Sequence, residues 1–240
     1  SGITPINALI YEHWLYLPMV GFWLVVSFYL VKFFDLLRSK KNTIGYSLVA
    51  IGLIIYLSFF AYQSIQRNIL WGNPIEFYKD ILKHEPNSAR ISNNLGTIYN
   101  NKGDGERAEF YYRKAVDAGE VFAQPYFNLG TILQAEGDIN GAIILYEKSI
   151  EINPNFFYPY QNLSVIYAQR GNLKKASENI EILKSLLSNN ARVYYNSALI
   201  YSALNDKEKA LEDLKLGLKY TQSDPDTEAL IKELIKRLEN

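Results

Sequence analysis

The sequence predicts an all-α chain, a two-helix transmembrane hairpin followed by an α-solenoid of about four full helical-hairpin repeats plus caps. Three observations carry that prediction. Leu95, Leu129, Leu163 and Ser197 recur about 34 residues apart. Two long apolar stretches without formal charge precede them, and an amphipathic segment flanks the repeats at each end. Average composition conceals this division, because a formal charge of zero and an apolar fraction of 48% describe an ordinary soluble protein as well as they describe two unlike halves.

In chain order, residues 1–70 read as a membrane segment with helices over about 14–34 and about 43–65, each near the length that crosses a hydrocarbon core. Trp14, Tyr16, Trp23 and Tyr62 stand near the ends, where aromatic residues favour the membrane interface. Pro18 and Gly21 predict a kink in the first span, tolerated where neighbouring helices satisfy the freed backbone groups. The connection KFFDLLRSKKN sets Lys32, Arg38, Lys40 and Lys41 against Asp35, and the positive-inside rule places it in the cytoplasm. The repeats then lie across the membrane, in a periplasm, outside the cell or in an endoplasmic reticulum lumen. Glu12 and His13 precede the first span without a basic cluster, so it does not read as a cleaved signal peptide. The chain opens at Ser1 in a loop-like stretch, and we expect it to be the C-terminal piece of a longer polytopic protein.

Residues 71–88 form a capping half-repeat, whose PIEFYKDILKHEP has the phase of a second repeat helix. Residues 89–222 hold four repeats. Small residues Gly96, Gly130, Ser164 and Ala198 mark where the first helix of each repeat, helix A, meets the second, helix B. Ala108, Ala142, Ala176 and Ala210 face them, and Tyr99, Leu133, Tyr167 and Tyr201 fill the large position between. Pro86 and Pro154 stop a helix B by removing a donor. Tyr112 and Tyr146 join the internal framework, ring packed and hydroxyl at the edge. Residues 223–240 read as a last amphipathic helix with Leu230, Leu234 and Leu238 on its buried stripe. The period and framework identify these units as resembling tetratricopeptide repeats (TPRs).

The expected functional feature is the face of the A helices. Asn94, Asn128, Asn162 and Asn196 occupy one repeat position, the sixth of helix A, which in TPR superhelices faces a concave groove. An amide is donor and acceptor together, so a ladder of them can hold an extended backbone without choosing its sequence. O-linked N-acetylglucosamine transferase resembles this arrangement. The competing role for these residues is packing of adjacent helices. A neighbouring row reads Asn93, Phe127, Gln161 and Tyr195, and another Arg90, Gln124, Tyr158 and Arg192. The groove lacks the lysines of a carboxylate clamp, and a neutral or aromatic-containing extended segment suits it. Lys207, Glu208 and Lys209 read as a solvated face, and His84 as a solvated helix end.

INALIYEHWLYLPMVGF, from Ile6 to Phe22, resembles the Glu-Arg/His-x-Leu-Tyr-x-Pro-x-x-Gly-Phe stretch of the transmembrane-and-TPR O-mannosyltransferases and their bacterial relatives. Arg67, Asn68, Trp71 and the run Pro86 to Arg90 extend the resemblance, while His13 and Met19 depart toward the bacterial members. The resemblance implies a multi-span glycosyltransferase core that uses a lipid-phosphate sugar, followed by a TPR tail on the lumenal or periplasmic side. It places Glu12 and His13 on the side where transfer occurs, as candidate donor-side interface residues; their alternative role is as polar anchors ending a span.

Absent cysteine, two histidines and no Gly-rich phosphate loop leave metal and nucleotide sites without their usual ligands, and we expect no cofactor and no catalytic residue in this chain. Balanced charge makes nucleic acid an unsuitable partner. The expected partners are an extended protein segment in the groove, the lipid bilayer and, through a part beyond Ser1, a lipid-linked sugar. The expected function is a membrane-anchored extracytoplasmic interaction module, the acceptor-recruiting tail of a multi-span glycosyltransferase in a bacterial inner membrane. The alternatives are a non-enzymatic membrane-tethered scaffold for envelope or secretion complexes and the tail of a polysaccharide polymerase or ligase.

Overall fold

A computed structural model describes residues 24–36, 38, 39, 43–119 and 122–239. The expectations that rest on Glu12, His13, Trp14, Tyr16, Pro18, Gly21 and Trp23 lie outside them. The described residues contain helices and no strands, and the chain divides into two compact units at Gly72.

In the first unit residues 24–36 are helical (α1), and α2 runs over Thr43–Trp71. Ser47–Trp71 is long and apolar enough to cross a membrane, with a mean hydropathy of 1.9. Ile51, Ile54, Ile55, Leu57 and Phe59 are all exposed along it. This helix continues beyond the expected end near residue 65. The other expected span is described only from residue 24, so the described residues contain one such helix and not the complete hairpin.

The second unit begins at Asn73, whose side chain caps α3 (Pro74–His84) by accepting from the Glu76 N–H at 3.4 Å, with Pro74 in the first turn where its missing donor costs nothing. Four hairpins follow: α4 (Ala89–Asn101) with α5 (Gly105–Asp117), α6 (Ala123–Glu136) with α7 (Ile139–Ile152), α8 (Phe157–Gln169) with α9 (Leu173–Leu186), and α10 (Ala191–Ala203) with α11 (Lys207–Leu218). Helix α12 (Pro225–Glu239) closes the array against α10 and α11.

The turns inside the hairpins repeat as regularly as the core. Asp104, Asp138, Asn172 and Asp206 each cap a helix B by accepting from the third N–H of the new helix. The residue before each cap, Gly103, Gly137, Gly171 and Asn205, has positive φ, a conformation that glycine adopts freely and asparagine tolerates.

Between the two helices of a hairpin the small-residue positions behave as expected. A β-carbon on Gly96 would lie 2.6 Å from the Tyr112 ring, and one on Gly130 2.8 Å from that of Tyr146. The facing residue shrinks to Ile180 and Leu214 where the small residue grows to Ser164 and Ala198. Ala108, Ala142, Ala176 and Ala210 are fully buried. In α12 the expected stripe needs correction. Thr227, Ile231 and Leu234 are buried and Leu238 is partly so, but Leu230 is 41% exposed, because the helix turns the Ile231 side toward Leu214 and Ala210.

Candidate functional site

The A helices α4, α6, α8 and α10 carry three charged residues among them, Arg90, Glu136 and Arg192. The four B helices carry twenty. Adjacent A helices meet through the expected rows. Asn128 donates to the Asn93 carbonyl oxygen Oδ1 at 2.9 Å, and the Phe127 and Tyr158 rings lie 5.5 Å apart.

The four asparagines share partial burial but not one environment. Asn94 donates to the Tyr78 hydroxyl at 3.5 Å and Asn162 to that of Tyr146 at 2.9 Å, each reaching helix B of the preceding unit. Asn128 bonds Asn93 instead. Asn196 is preceded by Ile180 at the corresponding position, which has no hydroxyl to offer. Three of the four amides therefore fasten neighbouring helices, and each keeps a second N–H free of that bond.

The sharpest local feature is aromatic. Phe127 packs on Phe156 edge to face at 5.4 Å, Phe156 on Tyr158 at 5.5 Å, and Phe157 on Tyr158 at 4.0 Å. Tyr146 backs the cluster 5.7 Å from Phe127. Tyr146 is fully buried, whereas Tyr158 is 46% exposed. Gln124 lies one helical turn before Phe127 and Gln161 one turn after Tyr158, with Gln161 exposed. Tyr195 is partly buried beside Ala198 and Tyr201 at the far end.

The two arginines of the expected groove are occupied. The Arg90 guanidinium sits over the Phe122 ring at 5.7 Å. Arg192 donates to the Thr227 hydroxyl at 3.4 Å and lies 4.0 Å from Asp224. Asp224 is held below the ordinary aspartate range by the Thr227 hydroxyl first and the Thr227 N–H next, with Arg192 adding its charge. Arg192 thus ties the last helix to the array.

Sequence reasoning missed a charged network on the B-helix side. Lys184 lies 2.7 Å from Asp213 and 3.1 Å from Glu181, and Asp213 also accepts from the buried Ser197 hydroxyl at 2.6 Å. Tyr201 donates to Glu181 at 2.6 Å, and Lys209 donates to the Tyr201 hydroxyl at 2.7 Å. Lys207 and Glu208 are exposed as expected, and the half-exposed Lys209 adds to the solvated face a bond to Tyr201 that was not expected. Burial disfavours the Lys184 ammonium, but Asp213 and then Glu181 outweigh it and raise its pKa. Burial likewise pushes Glu181 up, and the Tyr201 and Lys184 hydrogen bonds more than reverse it. The signal was present in the sequence. Glu147, Tyr167 and Lys175 form the same chain one repeat earlier, with Tyr167 donating to Glu147 at 3.1 Å and Lys175 to Tyr167 at 3.3 Å.

Comparison with known proteins follows the same division. Profiles of the tetratricopeptide repeat match residues 89–118, 123–156 and 191–224, and a second such profile matches 145–176. Protein O-mannosyl-transferase Tmtc3 of Drosophila melanogaster is 26% identical over 112 residues, which are 47% of this chain and 12% of that protein. The chain therefore spans a small part of that relative's length. Among solved structures, MamA is 25% identical with a TM-score of 0.56, covering 63% of this chain and 88% of its own. YrrB, a TPR protein with an unusual peptide-binding site, is 24% identical with a TM-score of 0.56, covering 74% of this chain and 89% of its own, a likeness of fold.

Proposed function

Residues 89–224 carry tetratricopeptide repeats, and from that premise we propose that this chain is a membrane-anchored protein-interaction module whose A-helix face holds an extended, uncharged protein segment. The observation that carries the proposal is the contrast between a nearly charge-free A-helix layer lined with rings and side-chain amides and the charged B helices. Rings and amides on a rigid solenoid bind extended chains through packing and backbone hydrogen bonds, and neither requires a charged ligand. The peptide-binding site named for YrrB adds a precedent on the same fold.

Three finer readings belong to the same proposal. The apolar α2 anchors the module in a bilayer, with the repeats on the extracytoplasmic side that the basic connection around Lys40 and Lys41 favours. The similarity to Tmtc3 supports the tail of a sugar transferase, in which the groove recruits the acceptor protein. Tethering of that kind raises the acceptor's effective concentration at a reaction site, so the groove can work with weak binding.

The experiment is peptide binding by the full chain in detergent micelles. Neutral extended peptides are expected to bind with an affinity that changes less than about twofold as salt rises through the range that screens surface charge. Placing a carboxylate on the face by Gln161→Glu is expected to shift preference toward basic peptides. Binding restricted to strongly charged peptides, lost in salt, would refute the proposal. A reporter fused after Asn240 tests the side of the membrane, and activity in the cytoplasm would reverse the orientation.

A further inference from the structure

Resting on that reading of the A-helix face, we infer that the segment it binds is proline-containing and in the polyproline II conformation, seated on the rings of Phe127, Phe156 and Tyr158.

The rings themselves argue for a flat, rigid occupant. Phe127, Phe156 and Tyr158 contact one another at 5.4 to 5.5 Å, and Phe157 backs Tyr158 at 4.0 Å. Rings this close leave no slot into which an aromatic side chain could insert. They present an outer surface, fixed by mutual packing, of which Tyr158 is the exposed part at 46%. Pyrrolidine rings lying on such a surface make broad contact, and a polyproline II segment is already ordered before it binds, so less conformational entropy is lost.

The polar groups fit the same occupant. A polyproline II chain has no internal hydrogen bonds and leaves its carbonyls for external donors, while its proline residues bring no N–H to satisfy. On the same two helices, one turn from Phe127 and from Tyr158, are the amides of Gln124 and Gln161, together with those of Asn128 and Asn162, of which one N–H each is fixed on Asn93 and Tyr146. Charge complementarity gives the last element. Helix α8 has no charged residue, α6 has only Glu136 at its end, and the arginines at either side are engaged by Phe122 and by Asp224 with Thr227. The two helices that carry the rings thus offer no cation of their own, and the matching segment is uncharged.

The test uses the full chain in detergent micelles and three fluorescent peptides of about twelve residues, enough for about four polyproline II turns. One alternates Pro-Pro with Gly-Ser, one contains Gly and Ser alone, and one is Gly-Ser with a central Phe. We expect the proline peptide to bind about tenfold more tightly than the Gly-Ser peptide, and Tyr158→Ala to remove that advantage, as for an anchoring aromatic contact. Tyr158→Trp should retain it. Equal binding of the proline and Gly-Ser peptides, or a preference for the Phe peptide, would overturn the proline assignment while leaving a peptide groove in place. Failure of all three, with unchanged helical circular dichroism, would overturn the groove as well.

Discussion

Replacing Gly130 by Ala tests the packing of the repeat where helix A rests against a buried tyrosine ring. In a helix interior the exchange on its own favours the folded state by about 1 kcal/mol, through lower backbone entropy in the unfolded chain. Here the new β-carbon would stand 2.8 Å from Cε1 of Tyr146 and 3.0 Å from its Cδ1. That ring cannot swing away cheaply. It is fully buried, and its hydroxyl contacts Thr131 at 3.4 Å, Gln134 at 2.7 Å and Asn162 at 2.9 Å. Overpacking costs about 1–3 kcal/mol and the loss of one hydroxyl bond about 1 kcal/mol, so the net expectation is destabilisation by roughly 1–3 kcal/mol. For an array of this size that lowers the melting temperature by roughly 2–12 °C. Gly130→Leu should cost more. The compensating change is visible two helices on, where Ser164 faces Ile180. Gly130→Ala combined with Tyr146→Ile should therefore be less destabilising than the two separate losses added, with a coupling of at least about 1 kcal/mol in urea denaturation followed by helical circular dichroism. Additive losses, or a Gly130→Ala protein more stable than the parent, would refute the packing described for this pair.

Other expectations follow from the same contacts. Lys184→Ala leaves the buried Asp213 carboxylate with Ser197 alone and should cost about 3 kcal/mol, whereas Lys184→Met with Asp213→Leu should recover most of that in the same denaturation assay. Glu181 has a lowered pKa in the folded state, so its contribution is complete above the ordinary glutamate range near about 4.3 and is lost as pH falls through the folded value. Acid titration of stability should show a drop in that window, and Glu181→Gln should flatten it. Asn162→Ala removes the bond to Tyr146 and should cost about 1 kcal/mol, while Asn196→Ala should leave thermal stability unchanged and weaken only peptide binding. Asp138→Ala removes the cap on the Gly141 N–H and should cost about 1 kcal/mol, measured by thermal melting.

The sequence makes the solenoid legible because its constraint is local and repeated. Gly96 and Gly130 are small because a tyrosine ring lies against each, and the interval between them sets the whole register. The row of asparagines is equally legible as a row, but its partners are not. Tyr146 offers its hydroxyl to Asn162 and Ile180 has none for Asn196, while Asn128, whose matching Tyr112 is bonded to Thr97, turns to Asn93 instead. The burial of Lys184 and Asp213 was hidden for a related reason. Helical periodicity within α9 and α11 does not report the angle at which one repeat rests on the next, and that angle removes these charges from water. In α12 Leu230 and Ile231 are neighbours in sequence of nearly equal hydrophobicity, and only docking on α11 decides which is buried. Helix α2 outruns the expected span because Gln63, Gln66 and Arg67 lower the apolar signal without ending the helix before Trp71.

Tyr78, Tyr112 and Tyr146 stand at one B-helix position, succeeded by Ile180 and Leu214. Where the hydroxyls stop, the ionic contact between Lys184 and Asp213 begins. The first two seams are thus joined by neutral bonds, Tyr78 with Asn94 and Asn93 with Asn128, that respond little to ionic strength; the later ones add contacts of Glu147, Glu181 and the Lys184–Asp213 pair that salt screens, and Glu181, with its lowered pKa, gives the last of them a response to acid. In a one-dimensional array each seam opens in its own right. The medium therefore chooses which end frays first: acid loosens the carboxyl-terminal repeats while the amino-terminal ones keep their amide protons from exchange.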